Sequence, residues 1–197
     1  MTTVVLLSGG LDSTTVLWWS IQQGETPIAL SVDYGQRAAE TERRLAAAIA
    51  HSQGVKHLHL AVPLVATVTR SALTATGDVA VPADTVVPGR NALLIALGAG
   101  LAQSIGADSV QIGCNLTDAT HYPDCRPEFL LRMDQAMKEA YNVNVLAPLL
   151  AMDKAQVVRW ARVLGVPIAT TSSCYRGTSC GECVACLVRE AAINQAT

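Results

Sequence analysis

The stretch SGGLDSTT, from Ser8 to Thr15, is suited to binding phosphate. An apolar run ends here in two glycines and an apolar segment with two tryptophans follows, so the stretch reads as the loop between a strand and a helix. Glycine lets the backbone approach a ligand closely, and the amides and positive dipole end of a helix N-terminus attract an anion. A glycine-rich turn capped by serine or aspartate would need no ligand, but the full S-G-G-x-D-S pattern at this position favours phosphate. The lysine of the Walker loop and the third glycine of a dinucleotide fingerprint are missing.

Four cysteines near the other end of the chain have the spacing C-x5-C-x2-C-x2-C and indicate a metal site. They are Cys174, Cys180, Cys183 and Cys186. Disulfides are the alternative, but two C-x2-C pairs that share Cys183 suit a metal better. Tetrahedral Zn²⁺ accepts four thiolates, and a site with four sulfur ligands is closed to substrate. The spacing therefore predicts one structural zinc ion, which would hold the C-terminal segment in place.

Two further stretches, VPGRN and HYPDCRPEF, concentrate polar residues where ligands could bind. In the first, Arg90 could hold a carboxylate or phosphate with its planar fork, and Asn91 could cap the following helix; a surface salt bridge is the alternative for Arg90. The second is expected to form a rigid polar pocket, or simply a proline-rich turn that starts a helix at Pro127.

Strands and helices alternate along the whole chain, which predicts an α/β fold with a parallel sheet covered by helices on both faces. Ligands bind such sheets at the carboxyl ends of the strands, where the stretches above lie. Residues 64–89 show weak periodicity and are expected to form a long active-site loop. We expect a catalytic domain over residues 1–170 and a zinc-binding segment over 171–197. The predicted strands cover 4–8, 27–35, 55–63, 107–115 and 142–150, and the predicted helices cover 13–23, 37–54, 91–106, 127–141 and 153–165.

Composition narrows the classes of protein that the chain could be. Half of the 197 residues are hydrophobic, and the formal net charge of −2 gives no electrostatic reason to expect a nucleic-acid partner. Apolar runs stay below the roughly 18 residues that a membrane-spanning helix needs, and no basic segment precedes the first apolar run. These features predict a cytoplasmic protein without a membrane or nucleic-acid partner.

The S-G-G-x-D-S loop resembles that of the PP-loop ATP pyrophosphatases, and the other motifs narrow the resemblance to one family. SGGLDSTT, VDYGQR, PGRN, YPDCRPEF and the CY…CGxCxxC tail match, in order, the 7-cyano-7-deazaguanine (preQ0) synthase family. The resemblance implies a Rossmann-like fold of the adenine nucleotide alpha-hydrolase type. It also implies a reaction in which ATP activates 7-carboxy-7-deazaguanine as an adenylate, ammonia gives the amide, and a second activation gives the nitrile. Departures from the pattern are a short loop after residue 64 and the residues Cys114 and His121.

The resemblance also implies which residues form the site, with ATP, Mg²⁺ and one Zn²⁺ as cofactors and a homodimer as the assembly. The expected catalytic residues are Ser8, Asp12, Ser13 and Arg90. The expected ATP-binding residues are Ser8, Gly9, Gly10, Leu11, Asp12, Ser13, Thr14, Asp33 and Tyr34, with Asp12 either near Mg²⁺ or capping the helix. The expected substrate-binding residues are Arg90, Asn91, Tyr122, Asp124, Arg126 and Glu128.

Three alternatives stay open at this point. The enzyme could stop at the amide, because amide and nitrile formation would use the same adenylation site. It could instead transfer sulfur to tRNA, with Cys114 or Cys125 as the persulfide carrier, although the acidic net charge speaks against RNA. It could also be a non-catalytic nucleotide-binding or zinc-ribbon module, although the intact phosphate loop argues for turnover.

Overall fold

The computed structural model describes residues 1–63, 69, 71–75, 79 and 81–196. Its five strands are β1 (Thr2–Leu6), β2 (Thr26–Asp33), β3 (Lys56–Ala61), β4 (Ser109–Gln111) and β5 (Asn144–Leu146). Its α-helices are α1 (Leu11–Gln22), α2 (Ala39–Ser52), α3 (Arg90–Ile105), α4 (Leu116–Ala119), α5 (Pro127–Tyr141), α6 (Lys154–Val163) and α7 (Val184–Gln195). Short 3₁₀ turns cover Pro82–Thr85, Pro123–Cys125 and Ile168–Thr170.

The strands form one parallel sheet in the order β3-β2-β1-β4-β5. Val4 of β1 pairs with Ile28 of β2 on one side and with Val110 of β4 on the other. The chain therefore runs outward from β1 to β3 and then returns to the opposite side of β1. In open α/β sheets this reversal opens a crevice at the carboxyl ends of the two strands, and ligands bind there.

Alternate residues of the strands supply two hydrophobic cores, one on each face of the sheet. Val5 belongs to the core that also contains residues of α1, α2, α6 and α7, whereas Val4 belongs to the core that contains residues of α3 and α5. A side-chain period of two places neighbouring strand residues on opposite faces. The predicted α/β class, with helices on both faces of a parallel sheet, is confirmed.

Element bounds differ from the predicted ones mainly at the phosphate loop and at the later strands. Helix α1 begins at Leu11 and not at Ser13, so Asp12 and Ser13 lie in its first turn. Strands β4 and β5 are three residues each, which is shorter than the predicted 107–115 and 142–150. Much of the long predicted loop, at 64–68, 70, 76–78 and 80, lies outside the described residues.

The segment Pro82–Ile105 is long and apolar enough, by length and composition alone, to cross a membrane. Within this segment α3 buries Ile95, Ala99 and Ala102 in the core against β1 and β4. A helix that is hydrophobic on most sides is also what the interior of an α/β domain requires. The packing is that of a core helix.

The C-terminal segment shares the core of the rest of the chain. Ala192 and Ala196 are buried in the same core as α1 and α6, and the Arg162 side chain donates a hydrogen bond to the Ala196 carbonyl oxygen at 2.7 Å. A boundary between residues 170 and 171 stays a prediction.

Candidate active site

The predicted phosphate loop lies at the crevice between β1 and β4 and needs glycine at its first turn. Gly9 has a φ of 80°, and a Cβ on it would lie 2.6 Å from the Cβ of Leu45 in α2. Both the left-handed backbone and the close approach exclude a side chain. The Gly9 carbonyl oxygen accepts a hydrogen bond from the Ser172 amide at 3.1 Å, which fixes the loop to the segment before the cysteine cluster.

Two serine hydroxyls hold the loop in a tight arc. Ser8 Oγ lies 3.2 Å from Ser13 Oγ and accepts from the Gly10 amide at 3.3 Å, and Ser13 Oγ donates to the Gly10 carbonyl oxygen. Gly10 is the N-cap of α1, and as a glycine it has no side chain that could cap the first amides of the helix. The helix N-terminus therefore presents the free amides and positive partial charge that suit an anion.

The loop after β4 approaches the same helix end closely enough to require a second glycine, Gly113. A Cβ on Gly113 would lie 2.9 Å from the Ser13 amide nitrogen and 3.0 Å from the Asp12 carbonyl carbon. The loop after β4 is thereby packed against the first turn of α1. This contact brings the residues of α4 to the phosphate loop.

A buried ion pair joins α1 to α6 at the floor of the crevice. Lys154, the first residue of α6, donates to Asp12 Oδ2, and only 11% of the lysine side chain and 20% of the aspartate side chain are exposed. Burial alone would lower the pKa of Lys154, but Asp12 and Asp118 leave it raised, so Lys154 is a permanent cation. The N-cap of α1 is Gly10, so the expectation that Asp12 caps this helix is wrong.

Asp118, in α4, is the second carboxyl group beside this lysine. Burial raises the pKa of Asp118 to about 6, with Lys154 opposing the shift and the negative charge of Asp12 adding to it. Asp118 Oδ2 accepts from the Asn115 side-chain amide at 2.7 Å. Two carboxyl groups thus lie near one cation next to the phosphate loop. A further charged group bound here would interact strongly with all three.

Arg90 lies across the crevice from the phosphate loop, among aromatic rings. Its guanidinium carbon is 5.8 Å from the centre of the Tyr122 ring, and Tyr34 lies close enough to interact with it electrostatically. Burial alone would lower the pKa of Arg90, but Tyr34, Tyr175 and Asp124 leave it raised. Arg90 is therefore a fixed cation in a partly desolvated wall, which is the setting for bidentate binding of an anion.

A chain of hydroxyl groups runs through the same wall. Tyr122 Oη lies 2.7 Å from Thr85 Oγ1 and 3.0 Å from Tyr175 Oη. Thr85 Oγ1 in turn donates to the Pro82 carbonyl oxygen at 2.7 Å. Tyr122 and Tyr175 both line the crevice, and Tyr175 directly follows the first cysteine of the tail.

Hydrogen bonds join Asn91, at the start of α3, to Asp124, in the turn Pro123–Cys125. Asp124 Oδ2 accepts from the Asn91 amide at 3.1 Å, and the Asn91 side chain donates to the Asp124 carbonyl oxygen and to Cys125 Sγ. The N-cap of α3 is Gly89, so the expectation that Asn91 caps this helix is wrong. Its amide instead ties α3 to the turn that contains Cys125, beside the buried Cys114.

The crevice has a volume of about 280 Å³. The sequence-predicted site residues that line it are Ser8, Gly10, Asp12, Ser13, Tyr34, Arg90, Asn91 and Tyr122. Those that do not are Gly9, Leu11, Thr14, Asp33, Asp124, Arg126 and Glu128. Arg126 and Glu128 are exposed, and Asp33 accepts from the Gly35 amide in a turn after β2. Leu11 and Thr14 are fully buried.

The four cysteines of the tail converge on one point. The Sγ atoms of Cys174, Cys180, Cys183 and Cys186 all lie within 4.8 Å of one another, and none of the four forms a disulfide. A tetrahedral zinc site with bonds of about 2.3 Å has sulfur atoms about 3.8 Å apart. Backbone amides that donate to Cys174 outweigh its burial and lower its pKa to about 6, which favours the thiolate. The cluster can bind a metal ion.

Comparison with known protein families decides which family has this arrangement. The family described as "Queuosine biosynthesis protein QueC" matches residues 2–197. The chain belongs to the QueC family. A relative from Parasynechococcus marenigrum (strain WH8102), named 7-cyano-7-deazaguanine synthase, is 42% identical over 99% of this chain and 93% of its own length. A relative of the same name from Thermoplasma acidophilum is 39% identical over 94% of this chain and 84% of its own length.

Solved structures share the fold of this QueC-family chain at low sequence identity. An NMN synthetase from Francisella tularensis superposes with a TM-score of 0.53 at 17% identity, over 86% of this chain and 63% of the other. A 4-thiouridine synthetase, solved with RNA and bound ATP, gives a TM-score of 0.51 at 18% identity, over 99% of this chain and 50% of the other. At such identities the likeness concerns the fold alone.

Three site residues were not predicted from the sequence: Lys154, Asp118 and Tyr175. Lys154 follows a helix-capping Asp153, and a lysine in the first turn of a helix is unfavourable for the dipole. That local conflict was a usable signal of function. Asp118 and Tyr175 carried no comparable signal, because each reaches the crevice only through the packing of distant segments.

Proposed function

We propose that this QueC-family chain is an ATP-dependent 7-cyano-7-deazaguanine synthase. It would convert 7-carboxy-7-deazaguanine and ammonia to 7-cyano-7-deazaguanine, releasing AMP and pyrophosphate. The observation that carries the proposal is one crevice with the anion-binding loop on one side and the Arg90–Tyr122 wall on the other. Relatives of about 40% identity bear the name of this enzyme and match over nearly their whole length.

The chemistry explains why a nitrile-forming enzyme needs such a crevice. A carboxylate is a poor electrophile because its leaving group would be oxide, whereas an acyl adenylate releases AMP. Attack of the substrate carboxylate on the α-phosphorus of ATP makes that adenylate, and ammonia displaces AMP to give the amide. Activation of the amide oxygen by a second ATP, followed by loss of AMP, leaves the nitrile. One phosphate site facing one substrate site would therefore serve both steps, mainly by positioning and charge stabilisation.

On the ATP side we assign the pyrophosphate to the first turn of α1 and its loop. Ser8, Gly10 and Ser13 supply hydroxyl and amide donors, and Gly9 gives the turn its shape. Lys154 would neutralise phosphate charge from the floor. Tyr34 would lie near the adenosine, whereas we assign no ligand contact to Asp33.

On the substrate side we assign the carboxylate of the deazapurine to Arg90. Its planar fork matches a carboxylate, and its charge is fixed by its surroundings. Tyr122 would flank the ring system. Asp124 and Asn91 would act indirectly by holding the start of α3, and no role is assigned to Arg126 or Glu128 because they are exposed.

Two metal ions fit the residues present. Asp12 Oδ1 is buried and has no hydrogen-bond partner among the described residues, which is the state of an oxygen that could bind Mg²⁺ at the phosphates. Mg²⁺ would neutralise charge on ATP. The four cysteines would hold one Zn²⁺, whose closed sulfur shell leaves it a structural role.

A direct assay tests the function. Purified protein is incubated with 7-carboxy-7-deazaguanine, ATP, Mg²⁺ and ammonium, the base is identified by mass spectrometry and AMP is quantified. We expect the nitrile, with two AMP released for each nitrile formed. Arg90→Lys keeps the charge but loses the fork, so turnover should fall strongly with an unchanged melting temperature. Absence of substrate-dependent AMP formation would contradict the proposal.

The same assay separates the alternatives. One AMP per product and a mass equal to that of the amide would show that this enzyme stops at the amide. We further propose a cytoplasmic homodimer that binds no nucleic acid, in keeping with the net charge of −2. Light scattering tests the dimer, and a gel shift with tRNA tests the sulfur-transfer alternative, which requires RNA binding.

A further inference from the structure

The hydroxyl chain of Thr85, Tyr122 and Tyr175 has a direction that the distances determine. The Pro82 carbonyl oxygen can only accept a hydrogen bond, and Thr85 Oγ1 lies 2.7 Å from it. Thr85 is fully buried, and its hydroxyl carries a single hydrogen. That hydrogen is therefore used on Pro82, and Thr85 can only accept from its other neighbour.

The donor–acceptor direction at Thr85 determines that of the next two hydrogen bonds, which lead to the crevice. Because Thr85 can only accept, Tyr122 must donate its single hydrogen to Thr85 across 2.7 Å. Tyr122 then has only lone pairs left for its second neighbour, so Tyr175 must donate to Tyr122 across 3.0 Å. The hydrogen of Tyr175 is thereby used as well, and its oxygen has only lone pairs to offer a ligand.

Tyr175, the last member of the hydroxyl chain, lies where the substrate base is proposed to bind. Tyr175 and Tyr122 line the crevice together with Arg90, which supplies only donors. The wall therefore has one group that must donate and one oxygen that must accept. A ligand with a carboxylate and an N–H edge complements both, whereas a ligand with a carbonyl or an unprotonated ring nitrogen opposite Tyr175 places lone pairs against lone pairs.

We propose that Tyr175 is a specificity-determining residue whose oxygen is a fixed hydrogen-bond acceptor for the ring N–H or the exocyclic amino group of a guanine-type base. The inference rests on the proposed function, because it names the part of the substrate that this wall recognises. Thr85 is then a positioning residue: it touches no ligand but sets the polarity of Tyr175 through Tyr122.

The two roles predict different effects for two isosteric changes. Tyr175→Phe removes the acceptor and leaves the ring. Thr85→Val removes the acceptor that fixes Tyr122, so the hydrogens of both tyrosines can reorient and Tyr175 can donate to a ligand. Tyr141→Phe serves as the matched control, because Tyr141 lies outside the crevice at the end of α5 and is 38% exposed.

The test measures dissociation constants of the full chain for three bases by calorimetry. The first is 7-carboxy-7-deazaguanine, the second has a carbonyl in place of the 2-amino group, and the third has a 6-amino group, which turns the ring N–H into an acceptor. We expect the parent protein to bind at least one analogue about 10- to 100-fold more weakly than the first base. Tyr175→Phe should bind the first base about tenfold more weakly and lose the preference. Thr85→Val should retain binding but lose most of the preference.

Melting temperature and zinc content serve as readouts of folding, and Tyr141→Phe should match the parent throughout. A preference for the first base that persists in both Tyr175→Phe and Thr85→Val would overturn the inference and leave the proposed function standing. So would binding of all three bases equally by the parent protein. Failure of the parent protein to bind any of them would overturn the proposed function together with the inference.

Discussion

Replacement of Lys154 by methionine tests whether its ion pair with Asp12 stabilises the folded protein. Methionine keeps most of the length and apolar stem of the lysine but removes the ammonium group. Asp12 would then lose the partner of Oδ2, while its Oδ1 is already buried without a hydrogen bond among the described residues. An uncompensated carboxylate would remain next to a second carboxyl group, that of Asp118.

The expected loss follows from the burial of the pair. Removal of one partner of a fully buried pair costs about 3–5 kcal/mol, whereas an exposed pair is worth at most about 1 kcal/mol. With 11% and 20% of the two side chains exposed, water screens the charge only partly, and we expect a loss of about 2–4 kcal/mol. For a chain of this length each kcal/mol lowers the melting temperature by about 2–4 °C.

A double-mutant cycle measures the coupling. Urea unfolding is compared for the parent, Lys154→Met, Asp12→Asn and the double variant. The double variant contains no unpaired charge from this pair, so it should recover part of the stability lost in Lys154→Met. A coupling energy below about 0.5 kcal/mol, or a loss below about 1 kcal/mol in Lys154→Met, would refute the reasoning and make the pair equivalent to a surface salt bridge.

Three further outcomes are expected. Gly9→Ala should unfold well below the parent in thermal melts, because its φ of 80° and the 2.6 Å contact exclude a Cβ. Gly10→Ala, whose Cβ would lie 3.3 Å from the Ser8 hydroxyl oxygen and 3.6 Å from the Ser172 carbonyl oxygen, should melt near the parent and lose ATP turnover; equal melting temperatures would contradict this. Cys183→Ser should lower both zinc content by elemental analysis and melting temperature, and Cys114→Ser should leave zinc content unchanged; zinc loss in both would place the ion elsewhere. Because burial raises the pKa of Asp118 to about 6, the folded state holds this proton more tightly than the unfolded chain, so ionisation costs stability as pH rises through roughly 4 to 6. Asp118→Asn should therefore raise the melting temperature relative to the parent more at roughly pH 7.5 than at roughly pH 4.5, and an equal change at both would contradict the shift.

The sequence was sufficient for those features that depend on local pattern. The alternation of apolar runs predicted the parallel sheet and its covering helices, and the two glycines at the end of β1 predicted the loop at the crevice. The cysteine spacing predicted a cluster whose sulfur atoms do converge. Each strand, each helix, the loop and the cysteine cluster could be recognised from residues that are neighbours in the sequence, and the fold class followed from the order of these elements.

Features that depend on contacts between distant segments could not be predicted from the sequence. Asp124 was expected to face the base, but packing of its turn against α3 directs one carboxylate oxygen to the Asn91 amide. Lys154 and Asp118 meet because the strand order reverses between β1 and β4, which places two later helices beside the first. The pattern of residues fixed neither the strand order nor the side chain that would occupy each helix end.

The hydrogen bond between the Ser172 amide and the Gly9 carbonyl oxygen has a consequence for biosynthesis. The phosphate loop leaves the ribosome before its partner, which is translated about 160 residues later. At about 5–20 residues per second the loop waits about 10–30 s for that contact. During this interval Gly9 has no such restraint, and the nascent chain should gain affinity for nucleotide late, in a single step, when residues near 172 emerge.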